Sequence, residues 1–453
     1  MQPLPKEFEE QMKRLLGEAG FFAYLDALNQ PYARALRVNL LLRPDGTPPC
    51  PIEGLGAPVP WAKGAYFVEG DARPGLSPLH EGGLFYMQEP SALTAVTALD
   101  PQPGERVLDL CAAPGGKSTQ IAALMAGRGL LCCNEPIPSR AQILSRNIER
   151  MGVRNAVVLS AMPDALAPRF PAFFDRILVD APCSGEGMFR RQPEARDEWD
   201  ADAPRRCADR QMEILAQAAK MLRPGGTMVY STCTFNDTEN EGVLKRFLAL
   251  HPEFSLVPFA LPGLPEAKDG YLHLYPHEMR GEGHFVSRLK KADGADEADA
   301  PVQAAPQRKA PARAAAKGKA PASIALPDVF SDAFAPERLY TAGDALWMLP
   351  EEISIERLSG LRVLRTGLLL AHAEGKRSEP DHALAMALRP EEAARTASLT
   401  QTQALAYQAG ETLSLGDLPG GYTLLCCEGV SLGWGKQAGG LMKNHYPKGL
   451  RRR

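Results

Sequence analysis

Between residues 104 and 289 the chain alternates short apolar runs with longer segments of helical spacing, and this rhythm limits the fold more than any other feature. The runs at 106–110, 129–133, 156–159, 176–179 and 227–230 are brief and rich in Val, Leu and Ile, while 119–126, 139–151 and 208–222 read as helices. Such alternation predicts a parallel, doubly wound α/β sheet with both faces covered, the Rossmann-like arrangement. The segment before it predicts a helix at 6–16 and a strand at 35–42, hence a small α+β domain over 1–75 ahead of a core over 76–290.

Composition marks one further boundary. Residues 291–323 are dominated by Ala, Pro, Lys and Asp and lack aromatics. Such a stretch cannot bury enough surface to offset chain entropy, so it reads as a flexible tether to a C-terminal unit over 324–453. The net charge of −3 is nearly neutral, but it is unevenly spread. Lys436, Lys443, Lys448, Arg451, Arg452 and Arg453 close the chain without an acid among them, a footprint that suits a polyanion. No leader peptide and no run of about 20 apolar residues is legible, so the expected compartment is the cytoplasm, away from any membrane. The nine cysteines form no C-x-x-C pair, and His273, His277 and His284 fit no ligand face, so no metal is expected.

Ligands of an open parallel sheet bind at the carboxyl ends of its strands. The first such turn is Asp109-Leu-Cys-Ala-Ala-Pro-Gly-Gly-Lys-Ser-Thr119. Gly115 and Gly116 allow close backbone approach, and the helix that follows offers N–H groups to a carboxylate or a phosphate alike. Gly116-Lys-Ser-Thr119 resembles the end of a phosphate-binding P-loop, but that pattern needs a glycine where Cys111 stands. A nucleotide hydrolase using Lys117 is therefore disfavoured. Glu135, at the end of the second run, is suited to ribose hydroxyls, though it would serve equally as a surface or capping residue.

Two more motifs fall at strand ends on the same edge: Asp180-Ala-Pro-Cys-Ser-Gly185 and Ser231-Thr-Cys-Thr234. A lone cysteine is usually a small core residue, and Cys132 and Cys133, inside a run, read that way. Cys183 and Cys233, at adjacent strand ends beside a glycine turn, do not. A protein that merely bound RNA during ribosome assembly would need neither.

Taken in order, Cys111–Lys117, Asp180–Gly185 and Ser231–Cys233 resemble the signature motifs of the Sun-type RNA cytosine-5 methyltransferases. Gln88-Glu-Pro-Ser91 and Pro276-His-Glu-Met-Arg-Gly-Glu-Gly-His-Phe285 support the match. The tail, with Gly433-Trp-Gly-Lys436 and 443–451, is similar to the bacterial RsmF/YebU-like branch. The resemblance implies an S-adenosylmethionine-dependent methyltransferase core and a C-terminal PUA-like RNA-binding domain. It implies RNA as partner, namely 16S ribosomal RNA or the small ribosomal subunit. By the same resemblance Cys111, Ala112, Ala113, Pro114, Gly115, Gly116 and Lys117 meet the methionine end of the cofactor, Glu135 the ribose, and Asp180 both cofactor and target base. Cys233 is then the nucleophile and Cys183 serves product release. Chemistry read from the residues alone does not choose between the two cysteines.

The family often has an acidic residue after the third strand; here that slot falls near Met162, with Asp164 one turn on. Arg190 and Arg191 are candidates for phosphate contacts or simply exposed charges. Trp434 and Tyr446, set among basic residues, suit stacking on structured RNA, or the core of a small β-domain.

Overall fold

The computed structural model describes residues 3–294, 324–334, 336–374 and 377–452. Strands Leu222–Thr232, Phe174–Asp180, Arg106–Asp109, Leu130–Asn134 and Ala156–Leu159 lie side by side in that order, all parallel. Val107, Cys133 and Val158 pack into one apolar cluster, and Leu108, Cys132 and Val157 into another. This period of two, apolar on both sides, is the mark of a sheet covered on both faces. It also places Cys132 and Cys133 in the core. Helices Pro138–Arg150 and Ala203–Met221 supply cover; in the first, Ala141, Leu144 and Ile148 recur at helical spacing and are buried.

Chain order reverses at Arg106–Asp109, which has the second strand on one side and the fourth on the other. Loops leaving the carboxyl ends of Arg106–Asp109 and Phe174–Asp180 therefore diverge and open a crevice. Asp109 pairs in register with Leu178, and Asp180 with Ser231, so the strand ends lie level.

The N-terminal helix runs Lys6–Leu28, well past 16, with a break at Gly17 where φ is 68°. Its second half is held by burial of Phe21, Tyr24 and Leu28, whose partners include Phe189, Trp199 and Phe235 of the catalytic core. Beside it, Leu55–Pro58, Ala65–Val68, Ala35–Val38 and Phe85–Gln88 form a four-stranded sheet. Because Phe85–Gln88 pairs with Ala35–Val38, this sheet reaches beyond residue 75.

The expected tether lies outside the described residues from 295 onward. The unit after it carries two four-stranded sheets, and it is not loosely attached as the sequence suggested. Its strand Val363–Thr366 pairs antiparallel with Ala156–Leu159 and so covers the edge of the central sheet. Leu36, Val38 and Leu84 of the N-terminal region share one cluster with Tyr407, Leu425 and Leu432. Gly152, at φ 65°, lets the chain pass Met386, whose carbonyl oxygen would lie 2.5 Å from a Cβ. Among the described residues no helix is long and apolar enough to cross a membrane.

Candidate active site

The glycine turn is held from three sides. Leu110 N–H donates to Leu178 O and Ala112 N–H to Asn134 O, while the Asn134 carboxamide donates to Leu110 O and Ala161 O. Gly115 has φ of 114°, and a Cβ there would stand 3.2 Å from Leu144 and 3.3 Å from Asn147. Both conformation and space thus require glycine. Helix Gly116–Leu124 starts here with no side-chain cap. Behind it Asp109, fully buried, accepts a hydrogen bond from Ser118 Oγ at 2.6 Å, and burial pushes its carboxyl up to about 7.

Arg37, which the sequence reading missed, braces the same turn from the N-terminal sheet. Its guanidinium donates to Gly116 O at 3.2 Å and Thr119 Oγ1 at 2.8 Å while only 1% exposed, and burial lowers it to about 10. The available signal was an Arg and an Asn, Arg37 and Asn39, inside the otherwise apolar run 35–42. Asn39 likewise bridges regions, donating to Gly83 O and Met151 O.

Glu135 sits at the end of the second strand, buried, with Oε1 accepting from Ile137 N–H at 3.0 Å and Oε2 3.4 Å from Arg140 Nη1. Asp164 is exposed in the first turn of the short helix Pro163–Leu166, whose N-cap is Met162.

Asp180 is the electrostatic centre of the other half. Its Oδ2 lies 2.8 Å from Lys117 Nζ, its Oδ1 accepts from Ser231 Oγ at 2.8 Å, and His284 Nε2 stands 3.5 Å from Oδ1. Burial opposes ionisation, yet Lys117 and His284 outweigh it and hold the Asp180 carboxyl well below the usual carboxylate range. Lys117 feels the same contest: burial would lower it, and the Asp180 carboxylate raises it above its ordinary value. Its ammonium is thus engaged by a carboxylate, unlike a P-loop lysine committed to phosphates.

Cys183 Sγ and Cys233 Sγ are 3.2 Å apart, both half-buried. Contact with Cys233, reinforced by burial, pushes the Cys183 thiol well above its ordinary value. The two cysteine loops are stitched by residues the sequence did not flag. Glu186 accepts from Phe235 N–H at 2.8 Å and Asn236 N–H at 3.0 Å. Glu239 accepts from Ser184 N–H at 3.1 Å and from the Asn236 and Gln211 carboxamides, each at 2.8 Å. Buried carboxylates satisfied this way fix the loops that carry the thiols.

A cavity of about 460 Å³ opens beside the glycine turn and is lined by it and by the N-terminal sheet. Residues 111–114, Gly116, Lys117 and Asp180 line it together with Tyr32, Arg34, Tyr86 and Gln88. Gly115, Glu135 and the two cysteines adjoin this cavity's walls in sequence or in the sheet without lining it. Trp434 and Tyr446, 2% and 3% exposed, are core residues of the C-terminal unit, so their rings do not offer stacking faces. Arg452 points inward as well, donating to Leu76 O at 2.6 Å and Ser77 O at 3.0 Å.

A glycine turn opening a helix, an acid at the second strand end and a crevice at the strand-order reversal define a Rossmann-like site for a nucleoside cofactor, and the comparisons below place it among the S-adenosylmethionine-dependent methyltransferases. A family model described as 16S rRNA methyltransferase RsmB/F matches residues 96–290. Models of the RsmF N-terminal domain, first C-terminal domain and PUA domain match 4–90, 327–388 and 394–452. Ribosomal RNA small subunit methyltransferase F of Erwinia tasmaniensis is 33% identical over 98% of this chain and 96% of its own. The protein of that description from Enterobacter sp. (strain 638) is 34% identical over 98% and 95%. Among solved structures, a methyltransferase homolog protein from Pyrococcus horikoshii is 30% identical, with a TM-score of 0.53 over 63% of this chain and 95% of that one. NSun6 from Pyrococcus horikoshii, solved with SFG, shares the fold at 23% identity and a TM-score of 0.54, over 64% and 99%. The chain belongs to the 16S rRNA methyltransferase RsmB/F family. It is an RNA methyltransferase that uses S-adenosylmethionine and carries a PUA domain at its C-terminal end.

Proposed function

We propose that the enzyme methylates carbon 5 of a cytosine in 16S ribosomal RNA, free or in the small subunit, through a transient bond between Cys233 and carbon 6. It would act in the cytoplasm, without a metal. The observation that carries this reading is the pair of thiols 3.2 Å apart on the strand edge that holds the glycine turn and the ionised Asp180.

The site fits the cofactor: an uncapped helix start, glycines where side chains would clash, and a buried acid at the second strand end. Residues 111–117 would hold its methionine end, Glu135 its ribose, and Asp180 would border it and the base. When bound, it supplies an electrophilic methyl group.

Carbon 5 of cytosine is a weak nucleophile. A thiolate adding at carbon 6 converts the ring to an enamine whose carbon 5 is reactive. The choice of Cys233 as the attacking thiol, with Cys183 serving release, rests on the family resemblance; the contact between the two sulfurs lets one act directly on the other. Asp180, held ionised, accepts hydrogen bonds from the base edge and favours a protonated ring nitrogen as charge develops. A base drawn from solvent then takes the carbon 5 proton, the carbon 5–carbon 6 double bond re-forms and Cys233 leaves as the thiolate, with Cys183 Sγ, 3.2 Å from Cys233 Sγ, serving this release. Reaching sulfur face-on requires the cytosine to leave its stack.

The test is a denaturing gel of wild type, Cys183→Ala and Cys233→Ala taken from expressing cells. Cys183→Ala should carry a nuclease-sensitive, slower band of covalently bound RNA, and Cys233→Ala should not. An adduct confined to Cys233→Ala would exchange the two roles. Absence of any adduct, joined to absence of methyl transfer to small subunits, would end the proposal.

A further inference from the structure

Two adjacent arginines follow the Asp180–Gly185 loop and meet opposite fates. Arg190 is 10% exposed, grips both carboxylate oxygens of Glu282 at 2.8 and 2.9 Å, and donates to Ala27 O at 2.6 Å. It is a structural clamp. Arg191 makes no ion pair or side-chain hydrogen bond among the described residues. Its guanidinium instead stacks over the Tyr32 ring, 5.3 Å from the centroid. Tyr32 is 45% exposed, an unusual position for a large aromatic that fills no core. Both residues line the 460 Å³ cavity, as do Lys117 and Asp180.

We infer that Tyr32 and Arg191 form a stacking platform for the unpaired nucleotide next to the target cytosine. The inference rests on the RNA methyltransferase reading and specifies its substrate as an unpaired segment, not a duplex. An exposed ring offers a π-face to any base, and a guanidinium already stacked on it both extends that face and meets the neighbouring phosphate. A cytosine swung out of its stack toward Cys233, beside this cavity, leaves its neighbour without a stacking partner, and the platform replaces what is lost. Arg34, which also lines the cavity, is unsuited to the role because its guanidinium is spent on Gly70 O and Ala72 O.

Steady-state methyl transfer by the full chain to 16S ribosomal RNA transcripts and to small subunits, with RNA and S-adenosylmethionine varied in turn, tests this. Tyr32→Ala should raise KM for RNA about tenfold and leave KM for S-adenosylmethionine within about twofold. Tyr32→Phe and Tyr32→Trp should restore it, since the ring and not the hydroxyl does the stacking. Arg191→Ala should raise KM for RNA about fivefold and flatten its salt dependence by roughly one ion, with Arg191→Lys recovering the salt dependence. An unchanged KM for RNA in Tyr32→Ala, or a rise confined to S-adenosylmethionine, overturns the platform while the function stands. A wild type that methylates neither RNA overturns the function and the platform together.

Discussion

On the side of the crevice proposed for the cofactor the geometry is made by backbone: a glycine turn, an uncapped helix start, and Arg37 bracing both from behind. On the side proposed for the base it is made by side chains: Asp180 between Lys117 and Ser231, and two thiols in contact. The difference separates two kinds of vulnerability. Shape is lost gradually when the turn is disturbed, whereas a nucleophile or a charge is lost outright. Cofactor affinity should therefore respond to one half, and the rate of chemistry to the other.

The sharpest division comes from Cys233→Ala. It should lower the methyl-transfer rate by at least about a thousandfold with S-adenosylmethionine affinity by calorimetry unchanged, and a parallel loss of affinity would erase the distinction. Asp180→Asn should cost about a hundredfold in rate, because a neutral amide cannot stabilise charge on the ring. Asp180 borders both halves, so a modest loss of cofactor affinity should accompany it. Gly115→Ala should act the other way. Strain at φ 114° and contact with Leu144 and Asn147 should weaken cofactor binding about tenfold, while the single-turnover rate at saturation stays near wild type.

A smaller effect tests the support behind the turn. Asp109 is buried and titrates near 7, whereas an unfolded aspartate titrates near 4. Between those values the folded state holds the extra proton, so this group makes stability fall as pH rises. Asp109→Asn keeps a partner for Ser118 and removes the titration. Its melting temperature should vary less than that of wild type between pH 4 and pH 7, and an equal slope in both would show that Asp109 is already ionised in the fold.

Much of this site was legible because it is local. The turn at 109–119, Asp180, Cys183 and Cys233 each follow a strand within a few residues, and a parallel sheet brings such ends to one edge whatever the loops do. Arg37 was hidden because its partners, Gly116 and Thr119, come from a different region and its role is defined by them. Glu186 and Glu239 read as ordinary acids until burial among loop N–H groups made them ties. Trp434 and Tyr446 read equally as stacking rings or core residues, and composition cannot say which way a ring faces. The strand Val363–Thr366 was silent because Arg365 within it gains meaning only beside Glu149.

By itself the sequence determined the doubly wound core and the strand-end edge that carries the glycine turn and the two thiols, since periodicity and local spacing are properties of neighbouring residues. Only the tertiary structure decided that the C-terminal unit completes the central sheet, that Arg190 is locked while Arg191 lines the cavity, and that the two thiols lie in contact. Those outcomes depend on burial and on partners far along the chain, and both exist only once the chain has packed.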